Sequence, residues 1–147
     1  RLSSQSSPST AGVNDVIAFY AYISQIQSNL AANQTLVFDT ALTNEGKSYN
    51  PQTGLFLAPE DGVYVFMWKI RMLSAEHSTE LVINGVVYGA TFLRAKSGDD
   101  GSVTGTVVAR LSAEDVVFVR THSLFAGDGI IHSNEHGRPF FAGWKLK

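Results

Sequence analysis

Seven side chains near the C-terminus concentrate the polar chemistry of this chain: His122, Asp128, His132, Asn134, Glu135, His136 and Arg138. Together they supply imidazoles, carboxylates, an amide and a guanidinium within a short stretch. Such a set can donate to and accept from sugar hydroxyls, and Arg138 can pair with an acidic group on a ligand. Residue by residue, a solvated loop is the competing reading. Catalysis is not expected. The four histidines, His77, His122, His132 and His136, all fall in or beside polar stretches, so each is expected at the surface. His132 and His136 have the i, i+4 spacing of a zinc-protease helix, but Pro139 and the surrounding Ser, Asn and Gly oppose a helix there. No residue pattern supplies the orienting partners that a catalytic group needs.

Asp99 and Asp100, bracketed by Gly98 and Gly101, are candidates for a hard cation, and calcium is the cofactor that carboxylates on a flexible loop would admit. Two carboxylates fall short of the six to eight oxygens that calcium takes, so a plain turn competes with this reading. Most aromatic residues, from Phe19 to Trp144, lie in strand-like runs and are expected in the core or at a subunit interface. Phe92 and Phe125 lie closer to loops and are the better candidates for an exposed stacking surface. Asn33-Gln34-Thr35 is a glycosylation sequon.

These residues need a scaffold, and the pattern predicts an all-β one. The 147 residues suit one domain, and a net charge of -2 with scattered basic residues gives no field to recruit nucleic acid or an anionic membrane. Cysteine is absent, which removes disulfides and thiolate sites. No apolar run approaches the roughly 18 residues of a membrane span. Residues 1–12 are rich in Ser, Pro and Thr and read as a flexible tail, with a globular domain over 13–147. Strands are expected at Val16–Ile23, Leu36–Leu42, Val63–Trp68, Glu80–Ile83, Val86–Tyr88, Val103–Leu111, Val116–Arg120 and Phe140–Leu146, with loops at Ala75–Ser78 and Lys96–Ser102. Asn84-Gly85 between apolar strands predicts a type I′ turn. Val63 to Trp68 is apolar on both faces and is expected to be covered on both. About ten short strands without an amphipathic helix predict an antiparallel sandwich or jelly roll.

Ala18-Phe19-Tyr20-Ala21, then Asn44, Gly46, Tyr49, Thr53-Gly54, Phe56, Pro59, Gly62, Tyr64 and Phe66 at fixed spacing, then Asn84-Gly85 and the closing Phe141-Ala142-Gly143-Trp144-Lys145-Leu146, are similar to the signature of the C1q globular head domain. The resemblance runs from Val13 to Leu146. Trp144 and Glu114-Asp115 depart from the usual residues without opposing a strand. The resemblance implies an all-β fold, a ten-stranded antiparallel jelly-roll sandwich of the C1q and tumour necrosis factor type, assembled as a homotrimer. No Gly-X-Y repeat precedes Val13, so it implies a stalkless secreted member, a type abundant in invertebrates and especially molluscs. There it would act in innate immunity as a lectin-like protein binding carbohydrate or microbial surface ligands. A trimeric signalling or scaffold ligand for a protein receptor, and a calcium-linked matrix protein, are the alternatives.

Overall fold

A computed structural model describes residues 15–147, and the tail expected over residues 1–12 lies outside the described residues. Nine strands follow in order: β1 Ala18–Tyr22, β2 Thr40–Glu45, β3 Tyr49–Asn50, β4 Leu55–Leu57, β5 Gly62–Ile83, β6 Val86–Leu111, β7 Val116–Thr121, β8 Ile130–Ile131 and β9 Phe140–Lys145. All pairing between them is antiparallel. The count is lower than the expected ten because several predicted strands fuse. β5 and β6 form one long hairpin around Asn84-Gly85, whose φ angles of 48° and 81° are those of the predicted type I′ turn.

That hairpin belongs to both layers of the sandwich. The first half of β5 pairs with β9 and the last part of β6, and β9 continues to β1 and β2. The second half of β5 pairs with β7 and the first part of β6, and β7 continues to β4 and β3. The crossing point is a bulge at Ser74, a non-glycine residue at φ 54°. One inserted residue reverses which side chains face inward. Before it the even positions Tyr64, Phe66, Trp68, Ile70 and Met72 are buried, and after it the odd positions Ala75, His77, Thr79 and Leu81 are. The polar run Ala75–Ser78, expected as a loop, is therefore strand, and His77 is core rather than surface. The other expected loop survives in part: residues 96–99 have no partner on β5, because Ala75 pairs with Ala95 and Leu73 with Asp100.

Aromatic side chains hold the layers together. Phe19 from β1 stacks on Tyr49 at 4.8 Å and on Phe56 at 5.1 Å, both from the opposite layer, and meets Phe141 edge-on at 4.9 Å. Trp68 is buried, with Nε1 donating to Thr79 Oγ1 at 3.0 Å. The expected strand Leu36–Leu42 begins only at Thr40. Upstream of it the Phe38 backbone is satisfied by a side chain: Tyr49 Oη donates to its carbonyl at 2.8 Å and accepts from its amide at 3.1 Å. Burial raises the Tyr49 phenol's pKa, so it stays protonated for this role.

Gly54 lies at φ 81°, and a Cβ there would stand 2.7 Å from the Leu36 carbonyl oxygen. Gly85 has the same φ with open space around it. Gly54→Ala is therefore expected to cost about 2 kcal/mol or more, against about 1 kcal/mol for Gly85→Ala. Urea unfolding of the two variants checks the difference, and equal losses would show that backbone conformation alone matters at Gly54.

Candidate functional site

The seven predicted ligand-binding residues separate into two groups, on either side of the β5 bulge. His132, Asn134, Glu135, His136 and Arg138 form the first. A turn closed by two backbone hydrogen bonds of 3.2 Å between Asn134 and Gly137 brings them against Arg71. Arg71 Nη1 donates to Asn134 Oδ1 at 2.7 Å and to the Gly137 carbonyl at 3.0 Å. Its Nε and Nη2 hold both oxygens of Asp100, at 3.0 and 2.6 Å. This bidentate pair lowers the pKa of the Asp100 carboxyl and raises that of the guanidinium. The Asn134 amide donates to His132 Nε2 at 3.3 Å, leaving His132 Nδ1 buried without a partner. Glu135 and His136 are exposed and pair loosely at 3.5 Å. Arg138 lies over the Tyr22 ring at 4.1 Å, a cation–π contact.

Arg71 organises this group, and sequence reasoning left it as one strand residue among others. Its signal was a charge between Ile70 and Met72, both inward-facing. Arg71, Asp100 and Asn134 satisfy one another within the group, which makes them a support for the turn. The same geometry bears on the cation candidates. Asp100 is engaged by Arg71, Asp99 stands exposed in the adjacent bulge, and among the described residues no three or more His, Cys, Asp or Glu gather as a metal site. Asp100 is thus committed to Arg71, and Asp99 is the carboxylate of the pair that remains open.

His122 and Asp128 belong to the second group. They line an open depression of about 340 Å³ with Glu76, His77, Ser78, Phe92, Phe125 and Gly127. β7 and its continuation place His122, the β5 segment after the bulge places Glu76 to Ser78, and β6 places Phe92 opposite Ser78. Phe92 and Phe125 remain 58% and 68% exposed, as large apolar rings seldom are beside a polar pocket. The Phe125 ring lies 5.0 Å from the His122 ring. His122 Nδ1 accepts from the amides of Leu124 at 3.0 Å and Phe125 at 3.4 Å, so its proton sits on Nε2, facing Glu80 at 3.9 Å. Glu80 in turn accepts from Arg120 Nε at 3.0 Å. Across the depression Lys96 bridges Asp128 at 2.8 Å and Glu76 at 3.3 Å, and the Lys96 hydrogen bond is the main cause of a lowered Asp128 pKa.

The depression thus combines two exposed aromatic faces with carboxylates, a hydroxyl, an imidazole and an ammonium. Among the described residues that line it, no side-chain hydroxyl is hydrogen-bonded to an imidazole or carboxylate as an activated nucleophile would be. Glu76, Ser78 and Lys96 were not predicted, because the bulge that turns Glu76 and Ser78 toward this surface has no local sequence signal. Asn33, the sequon residue, stands exposed in a turn beside this group, its amide donating to the His122 carbonyl at 2.8 Å.

The C1q domain pattern matches residues 18–146. Human complement C1q tumor necrosis factor-related protein 3 is 28% identical over 134 residues, covering 88% of this chain and 51% of that protein. The mouse complement C1q tumor necrosis factor-related protein 7 is 34% identical over 84 residues, 57% of this chain and 29% of that one. Human Multimerin-2 is 41% identical over 69 residues, 47% of this chain and 7% of that one. The chain therefore spans about half or less of these relatives. Among solved structures, the globular domain of zebrafish complement 1qA protein superposes with a TM-score of 0.74 at 16% identity, covering 89% of this chain and 98% of that one. Murine APRIL superposes with a TM-score of 0.67 at 14% identity, covering 89% and 99%.

Proposed function

Because the chain belongs to the C1q domain family, a non-catalytic one, we propose that it is an extracellular recognition module, a homotrimer that binds glycans or other microbial surface ligands through the depression between Phe92 and Phe125. The observation that carries this reading is the pair of exposed rings beside carboxylates and a hydroxyl that line the same depression: sugars present both a C–H face for stacking and hydroxyls for polar contacts. One open site gives modest affinity, and three on a trimer multiply it by avidity.

The trimer reading has its own support in the outer face of the first layer. Val65 pairs with Trp144 and Val108, Met67 with Ala142, Tyr20 with Ala142 and Tyr22 with Phe140, so these side chains share one surface. They make an apolar patch, with Trp144 39% and Val108 62% exposed, of the composition that a neighbouring subunit covers.

Phe125→Ala is expected to weaken glycan binding about tenfold, with the fold unchanged because the ring is exposed. EDTA is expected to leave binding intact, since Asp100 is spent on Arg71. A glycan array run with wild type, the variant and EDTA checks both. Loss of all binding in EDTA would favour a calcium-linked protein. No glycan bound at all would sink the lectin reading and favour a protein receptor, for which the exposed row Val86, Tyr88 and Phe92 on β6 is the suitable surface.

A further inference from the structure

The segment from Ala31 to Leu36 is docked on the end of β7 by a dense set of hydrogen bonds. The Asn33 amide donates to the His122 carbonyl at 2.8 Å and the Leu36 amide to the Val119 carbonyl at 2.8 Å. Thr121 Oγ1 accepts from the Gln34 amide at 2.9 Å and donates to the Ala31 carbonyl at 2.6 Å. Gln34 Oε1 turns back to accept from the Ala31 amide at 2.8 Å. Two polar side chains of the segment take no part in this docking. Among the described residues, neither the Asn33 side-chain amide nor the Thr35 hydroxyl has a hydrogen-bond partner, and Asn33 is exposed. These are the first and third residues of the sequon Asn33-Gln34-Thr35.

We infer that Asn33 carries an N-linked oligosaccharide, and that this glycan stands at the His122 side of the depression and narrows access to it. The covalent step joins Asn33 Nδ2 to C1 of the first sugar of a lipid-pyrophosphate-linked oligosaccharide. The N–C1 bond forms, the C1–O bond breaks, the lipid pyrophosphate leaves with the electron pair, and the amide proton passes to a base of the transferase. The occupancy of Asn33 rests on the extracellular reading above, because that donor and its transferase serve chains on the secretory route. It does not rest on glycan binding by the depression.

Backbone conformation does not account for the sequon. Asn33 has φ 57°, a left-handed value that asparagine tolerates, but Asn29 has φ 56° with Leu30-Ala31 after it. The turn therefore needs no hydroxyl two residues on, and Thr35 serves the fold only through its backbone bridge to Arg120. The placement of the glycan follows from His122. Asn33 is bonded to the His122 backbone, and the His122 ring lies 5.0 Å from the Phe125 ring in the depression. Upstream, Asn29 and Leu30 share a smaller recess with His77, Ala126, Gly127 and Gly129, so the segment runs beside the loop that carries Phe125. That loop and β7 belong to the second layer's side, and the apolar outer face of the first layer stays clear of the sugar. A bulky hydrophilic branch at this position leaves the Phe92 side as the open approach, which favours narrow chain ends over broad polymers as ligands.

The full chain, secreted from cultured animal cells behind a cleavable signal, tests both parts. Wild type is expected to migrate more slowly in denaturing gels than after peptide:N-glycosidase F, which converts the modified asparagine to an aspartate that peptide mass spectrometry reads at residue 33. Asn33→Gln and Thr35→Val are expected to migrate as the enzyme-treated protein does. An unmodified wild type, or a shift that persists in Thr35→Val, overturns the inference. Thr35→Val keeps the Asn33 turn, so the test stands even where Asn33→Gln does not fold. The placement is read by thiol labelling, because the chain has no cysteine of its own. Phe125→Cys is expected to react severalfold more slowly with a polymer-linked maleimide when glycosylated than when combined with Thr35→Val. Val86→Cys, 59% exposed and paired with Ile83 at the far end of the β5–β7 ladder, is expected to react equally in both backgrounds. Equal rates at Phe125→Cys, or an equal slowing at Val86→Cys, overturns the placement. Neither readout uses glycan binding, so a silent glycan array strikes the lectin reading alone.

Discussion

Phe141→Ala is expected to destabilise the protein by about 3–5 kcal/mol, a large part of the roughly 5–15 kcal/mol that holds a domain folded. Phe141 is fully buried in β9 and its ring lies 4.9 Å from Phe19, 5.6 Å from Phe38, 5.9 Å from Tyr49 and 6.2 Å from Phe66. Those four rings come from β1, β3, β5 and the segment before β2, so the cavity left by alanine would open where both layers meet. The neighbours cannot collapse into it, because Phe19 is already stacked at 4.8 Å on Tyr49 and Tyr49 is fixed by two hydrogen bonds to Phe38. Phe140, one residue earlier, faces outward and is only half-buried, tilted on Tyr20 at 5.3 Å. Phe140→Ala is expected to cost about 1 kcal/mol or less. Chemical denaturation of both variants measures the contrast, and comparable losses would mean that the face assignment of β9 is wrong.

The second large effect concerns assembly. Val65→Glu/Trp144→Glu places two carboxylates at directly paired positions on the outer apolar face of β5 and β9. In a single chain both sites reach water, so circular dichroism and thermal unfolding should change little. In a trimer they would be desolvated together with no cation to pair them, a cost of several kcal/mol for each buried charge. Sedimentation velocity is expected to show a trimer for wild type at micromolar concentration and a monomer for the variant. Glycan binding measured on a multivalent surface should then fall by about 100-fold through lost avidity, while binding of a single soluble sugar is retained. A monomeric wild type, or a variant that sediments unchanged, would remove this face as the interface.

The particular residues that were legible in advance share a property. Asn44, Tyr49, Gly54, Phe56, Tyr64 and Phe66 act locally or along one strand: Asn44 clamps the Tyr49 backbone with its side chain, Gly54 takes a left-handed turn, and the rings alternate inward with period two. Phe92 and Phe125 were marked as the exposed aromatics, and the structure sets both beside the depression that His122 and Asp128 also line. The loop at Ala75–Ser78 and the surface location of His77 were not borne out, and both trace to the Ser74 bulge, which continues β5 through a polar run and reverses its inward phase.

By itself the sequence determined the all-β class, the turns and the family signature, because those depend on residue type and short-range periodicity. Only the tertiary structure decided which charges are spent and which are free. Arg71 meets Asp100 from 29 positions away and Asn134 from 63, and Lys96 meets Asp128 from 32. Such pairings depend on the register of long strands, and one bulge in β5 sets that register for both groups at once. The polar chemistry near the C-terminus was therefore visible as composition. Its division into a support around Arg71 and an open depression beside Phe92 and Phe125 follows from strand register, which residue type alone does not encode.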